Sequence, residues 1–196
     1  RLSGRDVKRA RGKDPAQTIL ADEKYLIARP ATGGVKAVLA YPNTYWVGMS
    51  NLGFQSVYQI LAEDKRLAVE RAFVSDSCTP TKTLESSSSL SGSEILAVSV
   101  CFESDYPNVL SLLHDAGVRL EEAVSQGTLS ATCPRPFVIG GGAALTLNPE
   151  PLAVFFDAIF IGEAEIALRQ ALQVYMQSRA NRLSLEETKL ALAQIE

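Results

Sequence analysis

The chain has 196 residues, 46% of them hydrophobic and 21% charged, with a formal net charge of −3 and a sequence pI near 5.3. That is the make-up of one globular domain with short ends, large enough to bury a core without disulfides or metal. The slight acidity excludes a general phosphate-binding surface, and neither a signal peptide nor an apolar stretch near the ~20 residues of a membrane span is visible, so the expectation is a cytoplasmic protein without nucleic-acid or membrane partners.

Arg1 to Asp14 is basic and lacks apolar periodicity, and residues 1–34 read as an arm and lead-in. Gln17 to Arg29 has scattered apolar residues, and Pro30-Ala31-Thr32-Gly33-Gly34 breaks whatever they form. Val35 to Tyr41 is the first buried strand, ended by Pro42-Asn43. The turn that follows carries Tyr45, Trp46 and Met49 at the carboxyl end of a central strand. Two readings of it stand: a wall for a flat ligand, or a cap on the core or contact with a neighbouring domain. Ser50 or Asn51 caps a helix to about Ala62, in which Phe54, Val57, Tyr58 and Leu61 recur at helical spacing. Lys65 to Ser75 contains the second strand. Glu70 and Arg71 put a charge on each of its faces, which predicts a partly exposed strand toward a sheet edge. Asp76 to Leu90 is short helix or loop with a low-complexity serine run, Ser86 to Ser89.

Ile95 to Phe102 is the third strand, with Asp105 placed to cap a helix through Ala116 and Gly117 to end it. Val118 to Cys133 is a helical or irregular connection, and Pro134 and Pro136 lead into the fourth strand, Phe137 to Ile139. Gly140, Gly141 and Gly142 follow at once. Asn148-Pro149-Glu150-Pro151 has the form of a helix start, with Asn148 as N-cap and Pro149 at the first helical position. Ala158 to Ile161 is the fifth strand, and Gly162-Glu163 turns into an amphipathic helix to Gln177 with Ile166, Leu168, Leu172 and Tyr175 inward. Ser184-Leu185-Glu186-Glu187 has capping-box spacing, so a last helix reaches Ile195. The fold class is a flavodoxin-like (Rossmann-like) three-layer α/β sandwich with a five-stranded parallel sheet in order 2-1-3-4-5. In such sheets ligands bind outside the carboxyl ends of the strands, where both glycine turns lie.

The Gly141-Gly142 turn, the Asn148-Pro149-Glu150-Pro151 segment and the Gly162-Glu163-Ala164-Glu165 turn, in this order, resemble the cobalamin-binding-like domain at the N-terminus of many radical S-adenosylmethionine (SAM) proteins. Tyr41-Pro42-Asn43-Thr44-Tyr45-Trp46-Val47-Gly48-Met49-Ser50-Asn51-Leu52-Gly53 and Tyr106-Pro107-Asn108-Val109-Leu110 make the likeness closer to one subgroup of these proteins. The resemblance runs from Val35 to about Met176 and implies a cobalamin-binding-like domain over 35–180. Residues 181–196 would then be a helix or linker toward a radical SAM barrel that this chain does not contain. It implies cobalamin as cofactor and the barrel as partner, with the 4Fe-4S cluster and SAM belonging to the barrel. Radical SAM proteins typically hold that cluster with Cys-x-x-x-Cys-x-x-Cys. Cys78, Cys101 and Cys133 do not form this motif, so no radical chemistry is expected of the chain alone. The serine-rich stretch departs from the family, which usually has a longer segment there.

The residues expected at the cofactor are Asn43, Met49 and Ser50 after the first strand, Ser99 in the third, Gly140, Gly141, Gly142 and Ala143 after the fourth, and Gly162 and Glu163 after the fifth. Glycines also serve tight packing alone, and Glu163 and Glu165 also suit a helix N-terminus. Cys101 is the cysteine best placed for a ligand, with a buried small hydrophobe as the plainer reading. The single histidine, His114, falls within a helix rather than in the first turn, where cobalamin domains often place a cobalt ligand, so histidine-ligated cobalamin is set aside. No catalytic residue and no metal site is assigned, and a dinucleotide fingerprint and a Ser/His/Asp constellation are missing. A free-standing flavin binder lacks its phosphate loop. The alternative to a cofactor module is a degenerate domain that docks structure or substrate. The oligomeric state is not legible from sequence.

Overall fold

The computed structural model describes residues 15–24, 34–74, 79–130 and 134–195. Strands β1 (Val35–Tyr41), β2 (Leu67–Phe73), β3 (Ile95–Ser99), β4 (Phe137–Gly141) and β5 (Ala158–Ile159) form one parallel sheet in the order β2-β1-β3-β4-β5. This is the flavodoxin-like sandwich and strand order expected. In register, Ala37 stands beside Val69 and Ile95, and Ile95 beside Phe137.

Side chains alternate across the sheet and build two cores. Leu39, Tyr41, Ala97 and Ile139 face α3 (Leu52–Glu63), α7 (Ala164–Ala180) and α8 (Leu185–Leu192). Val38, Ala40, Val98 and Val138 face α4 (Tyr106–Asp115) and α5 (Leu120–Gln126). Because both faces are covered, the three central strands β1, β3 and β4 are apolar but for Lys36 and Ser99, and each buried leucine or phenylalanine contributes about 1.5–3 kcal/mol. Short helices α1 (Pro15–Asp22), α2 (Tyr45–Met49) and α6 (Ala143–Leu147) are the other α-helices among the described residues.

Several expected elements differ in the structure. The helix after the fourth strand starts at Ala143, and Asn148 is its C-cap rather than an N-cap. Gly142, at φ +113°, turns the chain so sharply that no lead-in is needed, and Ala144 N–H donates to Val100 O at 3.2 Å. Pro149 therefore lies in a turn ahead of a single 3-10 turn at Ala153–Phe155. β3 stops at Ser99 and β5 at Ile159, both short of their expected ends. Asp105 occupies the N-cap position of α4 but makes no capping bond; its Oδ1 instead accepts from Asn43 Nδ2 at 3.0 Å. The capping box of α8 is present, with Ser184 and Glu187 bonded reciprocally. Leu168 and Leu172 are buried as expected, and Tyr175 is half-buried against the same core.

Between β2 and β3 the described residues contain no α-helix. Thr83 bridges Ala72 antiparallel, Lys82 bridges Ser89, and Leu84 N–H donates to Arg71 O at 2.7 Å, so the serine-rich turn covers the carboxyl end of the open side of β2. Arg71 itself corrects the expectation of a solvent-facing charge, for it is only 1% exposed. Its Nη1 and Nη2 each donate to Glu23 at 2.7 Å and its Nε to Glu85 at 2.7 Å, while the guanidinium lies 4.9 Å from the Tyr58 ring centroid. Burial opposes the arginine's charge, but the two carboxylates outweigh it and raise its pKa. Burial opposes the charge of Glu85 as well and so raises its pKa despite Arg71. At the opposite end of the strands a second buried pair, Arg135 with Asp157, joins the starts of β4 and β5; Arg135 Nη2 donates to Asp157 Oδ1 at 2.8 Å and Val138 N–H donates to Oδ2 at 2.8 Å.

Candidate functional site

Parallel strands deliver all their carboxyl ends to one side, and a cavity of about 380 Å³ opens there between the sheet, α3 and α7. Its apolar floor comes from Leu39, Ala97 and Ile139 of the sheet, Val57 of α3, Phe160, and Leu168 of α7. Ser99, Gly140, Gly141, Gly142, Ala143, Gly162 and Glu163 line it, as do Asn51, Cys101 and Glu165. Asn43, Met49 and Ser50 do not.

The three consecutive glycines have different reasons for their size. A Cβ on Gly140 would lie 2.7 Å from the Phe156 ring and 2.8 Å from Leu145, so this glycine serves the core on the far face. A Cβ on Gly142 would lie 2.4 Å from Val100 O. One on Gly141 would meet only Phe160, at 3.7 Å, leaving room for a larger group. Gly141 is therefore the glycine whose side of the strand is open to the cavity.

Asn51 works at two atoms. Its Oδ1 caps α3 by accepting from Phe54 N–H at 2.9 Å, and its Nδ2 lies 3.4 Å from Cys101 Sγ. Cys101 is half-buried with a free thiol, and Ser99 Oγ lies 3.9 Å from its sulfur. Across the mouth Ser56 Oγ donates to Glu165 at 3.2 Å, and Gly162 N–H donates to Thr146 Oγ1 at 3.2 Å. Behind this wall Tyr41 Oη, Tyr106 Oη and Asp105 Oδ2 are buried without a hydrogen-bond partner among the described residues. Burial first, then Cys101 and Asp105, push the Tyr41 phenol well above its ordinary pKa.

The residues expected after the first strand hold loops together instead. Asn43 donates to Asp105 and accepts from Thr44 N–H at 2.8 Å, and Asn108 Nδ2 donates to Pro42 O at 3.0 Å. The Tyr41-Pro42-Asn43 and Tyr106-Pro107-Asn108 segments are thus one joint. Met49 packs on the α3 core with its sulfur 3.5 Å from Arg71 Nη1, and Ser50 Oγ donates to Val47 O. Trp46 is 75% exposed and is no wall of the cavity. His114 is exposed on α4, and no cluster of three or more His, Cys, Asp or Glu among the described residues suits a metal ion. Cys78 and Cys133 lie outside the described residues. Sequence reasoning did not find Val57, Phe160 and Leu168 as a ligand floor, because an apolar residue at helical or strand spacing carries no sign that a space lies beside it.

The model of a family described as radical SAM proteins, N-terminal, matches residues 53–196, well over half of the chain. The chain belongs to this family. The match runs from the start of α3 onward and thus includes most of the cavity wall, while Leu39 and Asn51 lie ahead of it. No curated protein and no solved structure matches the chain. As a radical SAM N-terminal region without Cys-x-x-x-Cys-x-x-Cys, it offers an apolar receptacle with hydrogen-bonding groups at its rim.

Proposed function

We propose that this domain holds a corrinoid, cobalamin, and presents it to the radical SAM barrel of the parent protein, which would supply SAM and the 4Fe-4S cluster. The cavity at the strand ends carries the reading. At about 380 Å³ it falls within the ~300–1,000 Å³ of ligand sites, too small for a whole corrinoid but suited to a flat appendage such as its nucleotide tail. The floor of Leu39, Val57, Ile139, Phe160 and Leu168 would take the apolar base, the open side of Gly141 would leave it room, and Asn51 and Ser99 would hydrogen-bond its polar edge. When bound, the corrinoid would bring methyl-carrying or radical-forming cobalt chemistry. The chain offers no histidine at the site, so the protein would hold the group without a histidine on cobalt.

A second reading, a docking domain that has lost its cofactor, is favoured by Gly140 and Gly142, whose size the packing explains without any ligand. Titration with hydroxocobalamin, methylcobalamin and tail-less cobinamide, followed by absorbance and calorimetry, separates the two. Saturable cobalamin binding, lost with cobinamide and in a folded Gly141→Leu variant, is the expected result. No binding at high micromolar ligand would overturn the cofactor reading and leave the docking one.

A further inference from the structure

The connections after β1, β3, β4 and β5 leave the sheet at one end, and because these strands are neighbours they do so within about 15 Å, three spacings of ~4.8 Å. Those connections and the first residue of α3 present Trp46, Leu52, Phe102, Leu147 and Ile161 to solvent, at exposures of 75%, 79%, 55%, 83% and 60%. Elsewhere the exposed large hydrophobics among the described residues are scattered: Val124 on α5, Leu183, and Leu190 on α8. A group of bulky apolar side chains led by an exposed tryptophan marks a contact surface rather than ordinary exterior.

Its charge narrows the partner. Residues 42–51, 100–105, 142–150 and 160–165 include exposed Glu103, Glu150, Glu163 and Glu165 and not one Lys or Arg. A second copy would set acid against acid, and the phosphates of nucleic acid or an anionic bilayer would be repelled. We infer that the end of the sheet carrying these apolar side chains is the face on which the radical SAM core of the parent protein docks, through a complementary surface with apolar groups and a fringe of Lys or Arg. The inference rests on the accessory-domain reading above but not on corrinoid binding.

Hydroxyl-radical footprinting with mass spectrometry, without added corrinoid, on this chain and on the full-length parent protein tests it. Oxidation of Trp46, Phe102 and Leu147 should fall roughly tenfold in the parent protein, as for an anchor side chain closed off from water, while Val124 and Leu190 stay equally reactive. A Glu103→Lys/Glu150→Lys parent protein should regain much of the lost reactivity. Protection centred on Val124 or Leu190 would overturn this face while leaving the accessory-domain reading intact. No protection anywhere on the chain would overturn both. Sedimentation should show the chain alone as a monomer, and self-association that protects Trp46 would replace the core with a second copy and overturn the inference.

Discussion

Gly140, Gly141 and Gly142 look alike in the sequence, yet strand alternation and one positive φ send them to three environments. Gly140 lacks a side chain because Phe156 and Leu145 fill that space, Gly142 because Val100 O does, and only Gly141 leaves room on the cavity side. Gly162 offers the control for Gly142: it also has positive φ, at +95°, but nothing lies within 4 Å of where its Cβ would be. Gly162→Ala should therefore cost only the left-handed backbone term, about 1–2 kcal/mol. Gly142→Ala should add an overpacking term of about 1–3 kcal/mol, because a backbone carbonyl cannot swing aside as a side chain can. Urea unfolding of the two variants checks the order; equal losses would mean that the backbone at Val100 shifts freely. Sequence alone marked all three glycines as candidates and could not rank them, since the ranking depends on residues up to 42 positions away, such as Val100. Asn43 shows the same limit, for its partner Asp105 lies 62 residues away.

Among the elements, α1 is attached through Glu23, whose carboxylate receives both Nη atoms of Arg71 and the hydroxyl of Tyr45 at 2.7 Å. Glu85 brings the edge turn to the same guanidinium, so one buried cation binds three separate stretches of chain. Arg71→Ala strands two carboxylates in a poorly solvated place and should lose about 3–5 kcal/mol, with faster amide exchange in both α1 and the 82–89 turn. An Arg71→Ala protein with unchanged exchange in α1 would show that other contacts hold the helix. Strands and helices were largely legible: β1 has its expected bounds, and Ser184 with Glu187 marked the start of α8. Those signals are local, carried by period and by capping chemistry. Arg71 was misread because a charge within a strand means solvent unless its partners are known, and Glu23 is 48 residues away in sequence. The start of α6 was missed because a glycine with positive φ replaced the side-chain cap that sequence reading looks for.

For the molecule as a whole, alkali is the condition to which the fold should be most sensitive. Burial raises the pKa of Tyr41, Tyr106 and Tyr175 above the ordinary phenol value near 10. A group held protonated in the folded state contributes stability that is present below its unfolded pKa and lost as pH rises through the folded one. The urea midpoint should therefore decline above about pH 10, where the unfolded phenols ionise first. Ultraviolet titration should show part of the tyrosine ionisation arriving together with unfolding, and Tyr41→Phe should flatten the decline. A midpoint unchanged to pH 11, or the same slope in Tyr41→Phe, would count against these phenols as the cause.

The turn laid along β2 also bears on how the protein behaves in a crowd. A sheet invites strangers where a strand shows its unused N–H and C=O groups. Here the chain's own serine-rich turn occupies the carboxyl end of one flank, at Arg71 and Ala72, and the other flank ends in a two-residue strand whose neighbour Phe160 also donates to Gly140 O. Neither flank gives a foreign strand a long run to zip onto. The domain should thus stay dispersed at high concentration even with those apolar side chains uncovered, and what it recruits will be chosen by side chains at the strand ends rather than by backbone at the strand sides.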